Sequence, residues 1–307
     1  MLRDANIESL ADDARTCTLR NVDAASTCGM RRNERDRVFT LNGELRPRIP
    51  INPGERQFWR IVNASPDRYA DLQVDGQQLE IVALDGMPLN YHDRSRRTRK
   101  VDHVLLPPAG RVEAIVTGPA KGNQARLITQ CIDAGPDGDD TAAMVIADLV
   151  SESHPVSSSQ KVSASTSAPV YREFSRSQLD ELAASTPDFT VVFTEDKGGF
   201  YINGKKFEMT AAPMLKVRVG SLQHWRVVNA TRERHPFHIH QVHFLAYAMN
   251  GVQSNSPEWL GTTDVPLSGT VDLIMDFTDP VIRGMSVFHC HLLSHEDKRM
   301  MAKILFE

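Results

Sequence analysis

The chain has 307 residues, 41% of them hydrophobic and 24% charged, with a formal net charge of −4. That length suffices for two domains with cores of their own, and no apolar run is long enough to span a bilayer. The acidic balance argues against a nucleic-acid partner, and four cysteines in so long a chain do not make a disulfide framework.

The chain opens on MLRDANIESLADDARTC, which is polar, mixed in charge and without the apolar core of a secretory signal. As given, it carries no signal peptide. Residues 1–35 match no recognisable element and stay unassigned, although Cys17 and Cys28 could pair in an oxidising compartment. Segment 36–150 is a series of short Val, Ile, Leu and Phe runs broken by Gly, Pro, Asn and Asp: RVFTLNG, RQFWRIVNAS, LQVDGQQLEIVALDG, RVEAIVTG and ARLITQCI. Such runs predict an all-β sandwich or barrel. The basic cluster RSRRTRK at 94–100 reads as a solvated loop between strands.

Residues 151–188 are a connector. SESHPVSSSQKVSASTSAP is Ser-rich and polar, and REFSRSQLDELAA, with Phe174, Leu179 and Leu182, allows a short helix. The β pattern resumes over 189–307 with FTVVFTE, GFYINGKKFEM, LKVRVG, QHWRVVNAT, VHFLAYAMNG and TVDLIMDF.

The two β regions repeat each other. FTLNGELRPRIPINPGERQFWRIVNAS matches FYINGKKFEMTAAPMLKVRVGSLQHWRVVNAT, and three pairs (Gly54 and Gly220, Trp59 and Trp225, Asn63 and Asn229) each lie 166 residues apart. Internal repetition of a whole β domain is a strong signal. At the same offset, HPFHIHQVHF in the second copy faces YADLQVDGQQ in the first, so that His235, His238 and His240 stand where Tyr69, Leu72 and Val74 stand. The repeated fold does not itself require histidine there.

The second histidine cluster is FHCHLLSHEDKRMM, near the C-terminus. A strand sends alternate side chains to opposite faces. On that rule Cys290 points away from His289 and His291, and His235 points away from His238 and His240. One set is then His235 and Cys290, joined by His295 and by Met300, which is better spaced than Met301. Two imidazoles, a thiolate and a thioether are the ligands of a blue-copper electron-transfer centre. The other set is His238, His240, His289 and His291, which suits a separate metal site. A cysteine between two histidines would connect the two sites by a few covalent bonds. A structural zinc site wants four ligands and usually paired cysteines. A single-metal His-x-His site leaves Cys290 unexplained, and histidines serving only core hydrogen bonds would not gather seven of eleven into two short segments. His243 lies off the pattern and is expected to pack or face solvent; His92, His103, His154 and His224 are isolated.

HPFHIH and HCHLLSHEDKRMM resemble the two C-terminal copper motifs of the multicopper oxidases, the family of laccases and bilirubin oxidases. The resemblance covers residues 36–307, and NGELRPRI, PGERQFWRIVNAS and LDGMPL look like that family's middle domain. It implies two Greek-key cupredoxin-like domains, the first without copper ligands. It further implies type 1 copper on His235, Cys290, His295 and Met300, type 2 copper on His238, and the type 3 pair on His240, His289 and His291. Glu296 resembles an acidic proton relay. The family's three-copper cluster takes eight histidines, four of them from a His-x-His-Gly and a His-x-His motif in a preceding domain. This chain has no such motif elsewhere, so it resembles the last two of three domains and supplies half the cluster, with a separate domain or subunit supplying the rest.

The implied activity is oxidation of a reducing substrate with reduction of dioxygen to water. The eleven methionines are scattered, which favours a phenolic or similar organic donor over a cuprous ion. Two rival readings are a copper electron-transfer protein without oxygen chemistry and an inactive fragment. The resemblance also implies a periplasmic or extracellular location.

Overall fold

The structure, a computed structural model, describes residues 1–6, 37–89, 98–152 and 175–307. Cys17 and Cys28 lie outside the described residues. Cys131 is disulfide-bonded, and Cys290 is free and buried.

The first sheet of the first domain runs Arg48–Ile51, Met144–Ser151, Gln124–Thr129, Ala70–Val74, Val104–Leu106. The second domain contains the same arrangement, Leu215–Val217, Met301–Phe306, Gly284–Cys290, His235–Ile239, Thr262–Val265. In both, the first pair of that order is parallel. The opposing sheet is built in one domain on Arg56–Val62, Arg111–Thr117 and Leu79–Leu84, and in the other on Ser221–Asn229, Thr270–Phe277 and Phe244–Met249. Each domain is thus a β-sandwich of cupredoxin type, its core filled by the inward face of alternating strands.

The repeat holds at the level of single hydrogen bonds. Trp59 Nε1 donates to Gln57 at 3.1 Å, and Trp225 Nε1 donates to Gln223 at 2.9 Å. Asn63 Nδ2 donates to the carbonyls of Arg68 and Leu106, while its Oδ1 accepts the N–H of Ser65. Asn229 does the same for Glu233, Val265 and Thr231. Each asparagine braces the loop that leads into the next inner strand. The cores differ in filling: the first is mainly aliphatic, whereas the second packs Trp225 among Phe189, Phe277 and Phe288 at 5.0–5.8 Å between ring centroids.

Two expectations change, and the short helix expected in the connector is present. Leu2–Asn6, within the stretch left unassigned, is a strand paired antiparallel with Arg37–Leu41, and Leu2 is fully buried in the first core. A covered apolar side chain and a sheet edge there place the start of that domain ahead of residue 36. Within the basic cluster, residues 94–97 lie outside the described residues. Arg99 and Lys100 belong to the strand Arg99–Val101, and Arg99 pairs with Glu258 of the second domain at 2.7 Å. Of the connector, 153–174 lies outside the described residues. The helix Arg176–Ala184 opens on a capping box of Ser175 and Gln178 and buries Leu179 against Leu245, Tyr247, Trp259 and Ile274.

Candidate metal centre

The histidine-bearing strands His235–Ile239 and Gly284–Cys290 are direct neighbours, with Phe237 opposite Cys290 and His238 opposite His289. Residues 235, 237 and 239 face the aromatic core together with Cys290, while 238 and 289 point to the other side of the sheet. This register sorts the side chains into two groups.

In the first group, His235 Nδ1 lies 3.3 Å and His295 Nδ1 3.6 Å from Cys290 Sγ, and the two Nδ1 atoms are 3.3 Å apart. His235 and Cys290 are fully buried and His295 is 4% exposed. The far nitrogens are committed elsewhere. The Thr231 hydroxyl gives its proton to Asn229 Oδ1 at 2.7 Å, so it accepts from His235 Nε2–H, also at 2.7 Å. His295 Nε2 faces Glu233 Oε1 at 3.3 Å. Burial holds both imidazoles in the neutral form, His235 well below its usual range and His295 down to about 4, and pushes the Cys290 thiol well up. Burial, with Glu195, Asp139 and Asp137 nearby, also pushes Glu233 up to about 8.

Three donor atoms thus crowd within bonding reach of one point. With Thr231 accepting the Nε2 proton of His235, the Nδ1 lone pair of that ring faces the sulfur. Two imidazole nitrogens and one soft sulfur gathered about one point suit copper. Met300 is fully buried in the same core cluster as Cys290. Its N–H donates to the carbonyl of His295 at 2.9 Å and its carbonyl accepts from the N–H of Cys290 at 3.2 Å. Phe200 stacks on His295, centroid to centroid 3.8 Å at 22°, and shields it from solvent.

In the second group, His238, His240 and His289 bring ligand atoms within 4.8 Å of one another. His240 Nε2 and His289 Nε2 are 3.1 Å apart. His291 stands beside them, with ring centroids 5.2 Å from His238 and 5.1 Å from His289, but outside the convergent three. His238 Nδ1–H donates to the Gly261 carbonyl at 2.7 Å, and His289 Nδ1–H to the Cys290 carbonyl at 2.9 Å. Their Nε2 atoms are therefore left with lone pairs for a metal. Burial lowers His238 to about 4 and His289 to about 3, and it lowers His240 as well. Glu296 reaches His289 Nδ1 at 3.6 Å from the helix Leu293–Asp297. His243 packs at the domain boundary with Nε2 on the Asp85 carbonyl at 3.1 Å.

Sequence reasoning missed Thr231, Glu233 and Phe200. Thr231 carried one signal, since it repeats Ser65 beside the paired asparagines. Glu233 and Phe200 carried none.

Two models described as multicopper oxidase match this chain, over residues 10–143 and 172–307. Among curated relatives, a laccase of Haloferax volcanii is 26% identical over 286 residues, covering 87% of this chain and 46% of that protein. A laccase of Bacillus stratosphericus is 27% identical, covering 86% of this chain and 53% of that protein. A bilirubin oxidase of Albifimbria verrucaria is 34% identical over 107 residues, 33% of this chain and 19% of that protein. The fold is similar to that of a multicopper oxidase from Campylobacter jejuni, with TM-score 0.67 and 22% identity over 87% of this chain and 56% of that one. It is likewise similar to a variant of a multicopper oxidase from Aquifex aeolicus, with TM-score 0.71 and 18% identity over 88% and 59%. The chain spans about half the length of the curated relatives it matches first.

Proposed function

The chain belongs to the multicopper oxidase family, and from that premise we propose that it takes part in oxidation of a reducing organic substrate, phenolic or similar, with dioxygen as acceptor. In this reading His235, Cys290, His295 and Met300 would hold the type 1 copper, and His238, His240, His289 and His291 would supply half the ligands of a trinuclear cluster. Copper, when bound, supplies one-electron oxidation at the first site and reduction of dioxygen to water at the second. The observation that carries the reading is the convergence of Cys290 Sγ and two Nδ1 atoms at 3.3–3.6 Å, with the outer nitrogen of His235 bonded to Thr231 and that of His295 facing Glu233.

The rest is the work of the chain itself. Thr231 fixes the tautomer of His235, and Glu233 stands beside the outer nitrogen of His295, the positions outer hydroxyls and carboxylates take around metal-bound histidine. Phe200 and the aromatic core exclude water from the thiolate. Cys290 joins the two groups through its own backbone to His289 and His291, and the His289 Nδ1–H bond to the Cys290 carbonyl at 2.9 Å shortens that route. Glu296, partly exposed and beside His289, is placed to carry protons between solvent and the cluster. His240 is exposed, so the second group opens outward, which suits completion by histidines of a further domain or subunit. A disulfide at Cys131 supports an oxidising compartment, periplasmic or extracellular.

A type 1 electron-transfer protein without oxygen chemistry is the second reading, favoured by the contrast between a sealed first group and an open second. Copper loading separates the two. The proposal expects an intense blue protein that loses its colour on Cys290→Ser and consumes oxygen with a phenolic donor once the remaining histidines are supplied. A blue protein that never consumes oxygen favours electron transfer, and a colourless loaded protein overturns both.

A further inference from the structure

Asp85 belongs to the domain without copper ligands, is 3% exposed, and sits in the turn after Leu79–Leu84. Its Oδ1 accepts the N–H of Arg111, the first residue of the strand Arg111–Thr117, at 2.8 Å. The second copy has Asn250 at the matching turn, where Oδ1 accepts the N–H of Thr270, the first residue of Thr270–Phe277, at 2.9 Å. Both residues adopt left-handed backbone, with φ of 49° and 51°. One side-chain oxygen therefore satisfies the turn, and an amide suffices for it.

Asp85 has a second oxygen, and that one crosses the domain boundary. Oδ2 accepts the N–H groups of Gly261 at 2.8 Å and Thr262 at 2.9 Å. Behind those amides, the Gly261 carbonyl takes the Nδ1–H of His238 at 2.7 Å, with Thr262 Oγ1 at 3.1 Å from the same nitrogen. Placing an amide nitrogen where Oδ2 stands would set a donor against two buried donors, which costs more than the loss of one bond. The Gly261–Thr262 backbone would have to shift, and the His238 acceptor with it.

We propose that Asp85 is a positioning residue for the four-histidine group. Its Oδ2 holds the Gly261–Thr262 segment so that the Gly261 carbonyl keeps His238 in the Nδ1–H tautomer and leaves Nε2 for a metal. Only the last step rests on reading that group as a copper site. The first domain, which has no histidine in the cluster, thereby acts on the cluster through one carboxylate, one peptide unit and one imidazole.

The test compares wild type, Asp85→Asn and the mirror change Asn250→Asp in full-length protein. Nitrogen-15 NMR of the metal-free protein reads the His238 tautomer, and copper titration reads affinity at the four-histidine group. The wild type should show His238 protonated on Nδ1. Asp85→Asn should mix the tautomers and weaken copper binding there by about tenfold, the lower end of outer-shell effects, while the absorption from the Cys290 group stays unchanged. Asn250→Asp should alter neither. A wild-type His238 protonated on Nε2, or an Asp85→Asn protein with an unaltered tautomer and copper affinity within twofold of wild type, would overturn the proposal. Should Asp85→Asn not fold, Asp85→Ser, which keeps one acceptor for Arg111 and lacks the cross-boundary oxygen, carries the same expectations. The tautomer measurement contains no metal, so a group that binds no copper would refute the copper reading and leave the role of Asp85 decided separately.

Discussion

At three positions along one strand and its ends the two copies diverge completely: Tyr69, Leu72 and Val74 are core residues, and their counterparts are His235, His238 and His240. The backbone is shared, so the difference lies in what surrounds each imidazole. Those surroundings keep the histidines neutral and Glu233 protonated, and that has a consequence for the metal-free protein. His238, His295 and His289, with pKa values near 4, 4 and 3 in the fold, would titrate at 6.5 in the unfolded chain. The unfolded chain therefore binds more protons below 6.5, and stability falls as the pH drops from 6.5 towards 4. Glu233, at about 8 in the fold against 4.5 unfolded, has the opposite sign, its stability being lost as the pH rises from 4.5 through 8. Between 4.5 and 6.5 the lowered histidines outnumber the one raised carboxyl, so stability rises with pH; above 6.5 the sign is that of Glu233, and stability falls. Metal-free protein should be most stable near pH 6.5. Denaturant midpoints measured across that range would contradict this if they fell steadily from acid to base. The histidines were legible because their spacing is periodic. Glu233 was not, because it lies in a loop, where no period tells which way a side chain points.

Among the elements, alternation along a strand foretold which side chains share a face, and the register of Phe237 on Cys290 and His238 on His289 follows that alternation. What alternation cannot foretell is which strands are neighbours, since His235–Ile239 and Gly284–Cys290 pair across some fifty residues of chain. That pairing comes from sheet closure, a property of the whole sandwich. The helix Arg176–Ala184 is the reverse case. Leu179 and Leu182 and the Ser175–Gln178 box mark it locally, but its partner surface, Leu245, Tyr247, Trp259 and Ile274, is non-local. Leu179, 5% exposed, fills that small cluster, so Leu179→Ala should cost about 2–3 kcal/mol. Chemical denaturation would measure the loss, and the copper absorption of the folded variant should not change, because the cluster lies apart from both histidine groups. A loss under about 0.5 kcal/mol, the scale of a surface substitution, would mean that the helix is not held by that contact.

Seen as one molecule, the domain without histidines in either group braces both groups of the domain that has them. Asp85 reaches the second group through Gly261. The first group is reached at the helix Leu293–Asp297, which carries His295. Helix starts leave backbone N–H groups without partners, and the residue in the N-cap position here, Leu292, has no side-chain acceptor to offer. The acceptors come from the other domain: the Leu293 N–H donates to the Pro66 carbonyl at 2.9 Å and the Ser294 N–H to Asp67 Oδ1 at 3.0 Å. A cap supplied across a domain boundary ties the ligand helix to that boundary. Asp67→Ala should therefore cost about 1 kcal/mol, the usual worth of a cap, and because His295 moves with the helix the loss should appear as about fivefold weaker copper binding at the Cys290 group. Copper binding at the four-histidine group should be untouched, the converse of Asp85→Asn. Titration of both variants, following the blue absorption for one group and the remaining copper for the other, tests this crossed pattern. Equal weakening of both groups in both variants would show that the boundary acts only as general support, with neither carboxylate assigned to a group.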